Sequence, residues 1–148
     1  MRPSDLLIVV ALWVAPAAAQ TATDGDSLRI NGQAYRLQGI DAPELAQTCG
    51  TYPAGVESRN TLSGLIQGRA VACEHVTTDR FGRSVAYCRA GGLDLGAEMV
   101  RRGMAWAFVR YSREYVQLES QARAQGLGVH AQACEKAWEY RARLRAVR

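Results

Sequence analysis

Three separated groups of acids and arginines carry the chemistry open to this sequence: Asp24-Gly25-Asp26-Ser27, Arg36-Leu-Gln-Gly-Ile-Asp41-Ala-Pro-Glu44 and Asp79-Arg80-Phe81-Gly82-Arg83. Carboxylates hold hard cations through oxygen. Two guanidinium groups can clamp a phosphate with planar forks. One further carboxylate can orient or deprotonate water. Together these are the parts that cleave a phosphodiester bond. Singly, each group has a simpler origin. Asp24-Gly25-Asp26 reads as an Asx turn, Asp41-Ala42-Pro43-Glu44 as a strand-ending turn, and Arg36 and Arg83 as exposed strand arginines. Only their joint presence points to a site. Asp24 is read as shaping the turn or supporting the site from behind.

Elements must bring these groups together. Asn31-Gly32 between alternating residues predicts a type I′ hairpin turn, with Leu28, Ile30, Tyr35 and Leu37 on the core face. Plain alternation sets Asp26 and Asp41 on one side of that hairpin and Arg36 on the other. Convergence therefore requires a bulge, strong twist or strand end near Gly39. Leu45 to Tyr52 reads as a loop. A helix opens at Pro53, carries Val56, Leu62, Leu65 and Ile66 inward, and stops at Gly68. A second hairpin joins 70–77 to 84–89. A short helix carries Leu95, Met99 and Val100 and ends at Gly103, a strand follows over 104–109, and Ser112 caps a third helix running to Gln125. From Glu135 the chain turns helical and arginine-rich, and Arg141, Arg143, Arg145 and Arg148 are read as a solvated face or frayed tail in preference to a phosphate-backbone contact.

The 148 residues suit one domain, and 48% of them are apolar, enough for one core. The net charge of +4 favours polyanionic partners without requiring them. Lys136 is the sole lysine, a skew that codon bias in a GC-rich genome explains as well as phosphate recognition does. Arg2, the apolar run Leu6–Val14, Pro16 and Ala17-Ala18-Ala19 form a Sec-type leader pattern with cleavage after Ala19. The run is too short to span a bilayer comfortably, so no membrane span is expected in the mature protein, a retained anchor being the lesser alternative. Export, to the periplasm or beyond the cell, makes disulfides the expected use of the four cysteines. Cys73 and Cys88 are equidistant from the centre of the second hairpin and should face each other. Cys49 and Cys134 pair by elimination. Zinc would be the rival, but no C-x-x-C spacing occurs and only His75 and His130 could assist.

At these residues the chain resembles the thermonuclease family, the staphylococcal nuclease homologues. The three groups above, Met99-Val100-Arg101-Arg102-Gly103-Met104-Ala105, and Tyr111-Ser112 to Gly126-Leu127 occur in the family's order and spacing. The resemblance implies an α+β, barrel-rich fold: an OB-type five-stranded Greek-key barrel with about three helices. It implies a calcium-dependent phosphodiesterase acting on DNA and RNA and leaving 3′-phosphate ends. By position, Asp26, Asp41 and the backbone carbonyl of Ala42 match the Ca²⁺ ligands, and Arg36, Glu44 and Arg83 the catalytic groups. Arg80, Phe81 and Tyr111 match substrate-binding positions. The family usually has threonine at 42, lysine and tyrosine at 80 and 81, a tyrosine at Val109, and a tryptophan where Gly128-Val129-His130 stands.

The expected organisation is a leader over 1–19, a nuclease domain over 20–134 and a basic helix or tail over 135–148. A monomer with no stable protein partner is expected. The rival reading is a non-catalytic OB-fold module of the cell envelope that binds nucleic acid without cutting it.

Overall fold

The computed structural model describes residues 18–131 and 134–147. The apolar run of the leader pattern, Pro16 and Arg148 lie outside the described residues. Strand β1 (Gln20–Ala22) pairs antiparallel with β2 (Ser27–Ile30), and β2 with β3 (Gln33–Leu37). Asn31 and Gly32 both have positive φ, 49° and 83°, as a type I′ turn demands. Leu28 and Leu37 are buried, while Ile30 and Tyr35 pack half-buried against the same core.

After β3 the chain breaks at Gly39, φ 77°. The two residues of β4 (Ile40–Asp41) leave the main sheet and pair with β8 (Trp106–Ala107). A side chain at Gly39 would meet Tyr115 and Ser112, so both the conformation and the space call for glycine. Helix α1 (Ala54–Ile66) buries Leu62, Leu65 and Ile66. The second hairpin is β5 (Val71–Thr78) and β6 (Ser84–Ala90), with Cys73 directly opposite Cys88 and bonded to it. The short strand β7 (Leu93–Asp94) leads into α2 (Leu95–Arg101), capped by Asp94 accepting from the Ala97 N–H.

Helix α3 (Val116–Ala124) begins three residues later than a Ser112 cap would start it. Ser112 accepts instead from the Glu114 N–H, and Tyr115 stands at the cap with its hydroxyl on Asp94. A 3₁₀ turn covers Gly128–His130. Helix α4 (Ala137–Ala146) follows, and Cys134 before it is bonded to Cys49.

The result among the described residues is an α+β fold with four α-helices and a mixed sheet. The main sheet runs β1-β2-β3-β6-β5, with β7 on β6 and a parallel pairing between β3 and β6. Among the described residues these ladders do not close into the expected barrel, because the break at Gly39 sends β4 to β8. The expected strand at 104–109 shortens to the two residues of β8. Two apolar clusters form. The larger lies between the sheet, α1 and α2, around Leu28, Leu62, Leu95 and Met99. The smaller gathers Cys49, Ala54, Trp106, Val129 and Ala137, with Trp138 packed against it, and docks the C-terminal helix.

Candidate active site

Strand register puts the site together. Ser27 pairs with Arg36 across the first hairpin, and Arg36 pairs with Val85 across the parallel junction. Asp26 lies just before β2, where strict alternation no longer applies. Its amide donates to the Asp24 side chain (3.0 Å), the Asx turn expected of that tripeptide. Its carboxylate faces Arg36. The Arg36 guanidinium bridges two acids, with Nη1 on Asp26 Oδ1 and Nη2 on Asp41 Oδ1 (3.0 Å), and it also donates to the Ile40 carbonyl. The convergence that alternation forbids is thus achieved by a strand end at Asp26 and the break at Gly39. The second oxygen of Asp26 accepts the Ala42 N–H at 2.8 Å.

Arg83 enters from the β5–β6 turn. Asp79 accepts from the Phe81 and Arg83 amides and from Arg83 Nε (2.7 Å), so the turn itself aims the arginine. Arg83 Nη1 donates to Ser27 Oγ, and Ser27 Oγ donates to Asp26 Oδ1, both at 3.1 Å. Ser27 therefore links the outer arginine to the inner acids. Arg80 and Phe81 sit on the same turn. The Phe81 ring is 69% exposed, with the Arg80 and Arg83 guanidinium carbons 4.8 and 5.6 Å from its centre. Tyr111 is exposed on another segment, edge-on to Phe108. His75 is exposed and bonded to Ser84.

Glu44 stands at the mouth of the site. Buried Gln47 accepts from the Glu44 amide and donates to the Glu135 carbonyl (2.6 Å), tying this loop to the approach to α4. The Glu44 carboxylate accepts from Arg141 at 2.7 Å, and Arg141 also forks onto both oxygens of Asp41 at 3.1 and 2.9 Å. Arg141 is therefore part of neither a solvated face nor a frayed tail, because its guanidinium is held by Asp41 and Glu44. Arg143 is exposed and pairs with Glu135. One connected chain now runs Arg83–Ser27–Asp26–Arg36–Asp41–Arg141–Glu44. The five residues singled out by the sequence are in it; Ser27 and Arg141 are the two it left without a role. Ser27 stands within a quoted motif, whereas α4 gives no local signal that Arg141 faces inward.

Charge is concentrated and only partly balanced. Burial and the neighbouring Asp26 charge push the Asp24 pKa up to about 7. Burial would raise Asp26 too, but the Arg36 charge and the Ala42 N–H outweigh it and hold that carboxyl below its ordinary value. Asp41, with no side-chain exposure, is pushed up by burial and by Asp26, which its two arginines only partly offset. For Arg36, burial is overcome by Asp26 and Asp41, which hold it firmly protonated.

Among the described residues, no three of His, Cys, Asp and Glu close around one point as a ready metal cage. The donor set nevertheless fits a hard cation in kind. It is all oxygen, and the positions between Asp26 and Asp41 and between Asp41 and Glu44 are already cationic, filled by guanidinium groups.

Residues 34–132 match the family model described as staphylococcal nuclease homologue. The chain belongs to that family. Its sequence is 38% identical over 109 residues to "Probable staphylococcal-like nuclease CAN3" of Oryza sativa subsp. japonica, covering 72% of this chain and 28% of the rice protein. An "Uncharacterized endonuclease" of Haemophilus influenzae is 34% identical over 116 residues, covering 74% of this chain and 62% of that one. A protein of the same name from Escherichia coli O157:H7 is 31% identical over 117 residues, covering 74% and 73%. The chain thus spans under a third of the rice relative. The staphylococcal nuclease homologue match stops before α4.

Proposed function

We propose that this staphylococcal nuclease homologue is a calcium-dependent nuclease that hydrolyses phosphodiester bonds of DNA and RNA and leaves 3′-phosphate ends. The observation that carries the reading is the single hydrogen-bonded network joining Arg83, Asp26, Arg36, Asp41 and Glu44. Asp26, Asp41 and the Ala42 carbonyl are the calcium ligands in this reading. Calcium bound there supplies Lewis-acid polarisation and a template for the phosphate. Glu44 takes the proton of the attacking water or orients it. Arg36 and Arg83 donate to the non-bridging oxygens, whose charge grows in the transition state, so they stabilise it more than the substrate. The 5′ oxygen leaves. Arg80, Phe81 and Tyr111 contact the nucleotide, Phe81 by stacking.

The two disulfides favour an oxidising compartment and so support export of the mature chain by the leader over 1–19. Among the described residues no helix is long and apolar enough to cross a membrane. A monomer with a nuclease domain over 20–134 completes the reading. The binding-module alternative does not require all five acids and arginines in one network, and their retention favours the enzyme.

Incubation of the protein with DNA and RNA, with calcium and then with a chelator, tests this. Calcium-dependent cleavage to 3′-phosphate ends is expected, with Glu44→Gln slower by about 10²–10⁴-fold. No cleavage at any calcium concentration favours the binding module.

A further inference from the structure

Arg141 lies outside the residues that the family model matches, yet it forms three of the contacts in the acid cluster. It gets there by docking. Asp41 pairs with Trp106 in the β4–β8 ladder. Trp138 packs edge-on against Trp106, with ring centres 6.3 Å apart, and against Phe108 at 5.3 Å. Arg141 follows Trp138 by three residues, on the same face of α4 and one turn further on. The helix start is held separately by buried Ala137, by the Cys49–Cys134 bond and by Gln47 on the Glu135 carbonyl. The anchor and the arginine are therefore distinct. The contacts that hold the first turn do not involve the Arg141 side chain, which is a third exposed.

We propose that Arg141 is a tethered counter-ion that occupies the carboxylates in the absence of a divalent cation and must be displaced for one to bind. The proposal rests on the reading of Asp26 and Asp41 as metal ligands. Both oxygens of Asp41 accept from Arg141, and Oδ1 also accepts from Arg36. A dication approaching Asp41 meets two guanidinium groups already on its oxygens, and adding its charge to theirs at that buried carboxylate brings strong repulsion unless the more exposed one, Arg141, withdraws. The same fork also ties down Glu44, so the water-handling carboxylate is freed by the step that admits the cation. Metal binding and release of Glu44 are one event, coupled through Arg141.

Calorimetric titration of calcium alone into the metal-free full chain tests the latch. We compare the parent protein with Arg141→Gln, Arg141→Lys and Arg143→Gln. Losing a forked, charge-assisted contact should tighten calcium binding about tenfold or more in Arg141→Gln. Arg141→Lys, which keeps the charge and loses the fork, should fall between. Arg143→Gln, which alters the exposed pair with Glu135 and a contact with the Tyr140 ring but touches neither Asp41 nor Glu44, should match the parent. Without calcium Arg141→Gln should also melt lower than the parent, and saturating calcium should narrow that gap. Unchanged or weaker calcium binding in Arg141→Gln, or a fall in kcat at unchanged calcium affinity, overturns the latch and leaves the metal centre standing. If neither protein binds calcium, the metal-centre reading falls and the latch falls with it.

Discussion

Arg36 and Arg83 enter one network from opposite sides and are held in opposite ways. Arg36 lies inside, its head shared between two buried aspartates and a backbone carbonyl. Arg83 lies on the rim, aimed by an aspartate four residues away in its own turn and touching the cluster only through Ser27. The inner arginine neutralises charge that folding has buried. The outer one is positioned by local hydrogen bonds and leaves much of its head free for a phosphate. Two guanidinium groups proposed for one reaction thus carry different structural burdens.

That contrast is tested most severely by Arg36→Ala. It strips Asp26 of its main partner and leaves Asp41 to Arg141 alone, so the loss should be about 3–5 kcal/mol of stability in denaturant unfolding, together with activity. Arg83→Ala should do the reverse. Hydrolysis should fall about 10²-fold or more, as on removing one transition-state donor, while stability shifts by about 1 kcal/mol or less, as for a partly exposed pair within one turn. Equal stability losses in the two variants would dissolve the distinction.

Asp79→Asn is the mildest and sharpest probe of the rim. Burial alone would raise the Asp79 pKa, but the hydrogen bonds from Arg83 and from the Phe81 amide outweigh it and hold the group below its ordinary value. A lowered folded-state pKa means that this stability is present above the ordinary carboxylate range and is lost as pH falls through that range to the folded value. The substitution should cost about 1 kcal/mol at neutral pH. The gap from the parent should close in acid, as unfolding measured at both conditions will show. A gap that persists in acid would mean the turn is held by shape and not by charge.

The local parts of the fold were legible. The Asn31-Gly32 turn, α1 with Leu62, Leu65 and Ile66 inward, the second hairpin and its Cys73–Cys88 bond all follow from short-range torsion, alternation and helical spacing. The start of helix α3 is not legible, because Ser112 offers a capping side chain while burial of Tyr115 against Asp94 decides where the helix begins. The sequence asks for a bulge, strong twist or strand end near Gly39 without choosing among them, and the folded chain takes the strand end, with Tyr115 and Ser112 packed against the glycine and β4 leaving the main sheet for β8.

By itself the sequence settled which groups could do chemistry and which hairpins would carry them, because residue type and alternation act over a few positions. Tertiary structure alone decided that Arg141 would meet Asp41, 100 residues away along the chain. Nothing in the pattern of α4 marks that arginine as different from Arg143 or Arg145. The choice is made by Trp138 seating on Trp106, which fixes the face of the helix turned toward the acids. A contact of that kind depends on how two apolar surfaces fit once both are folded.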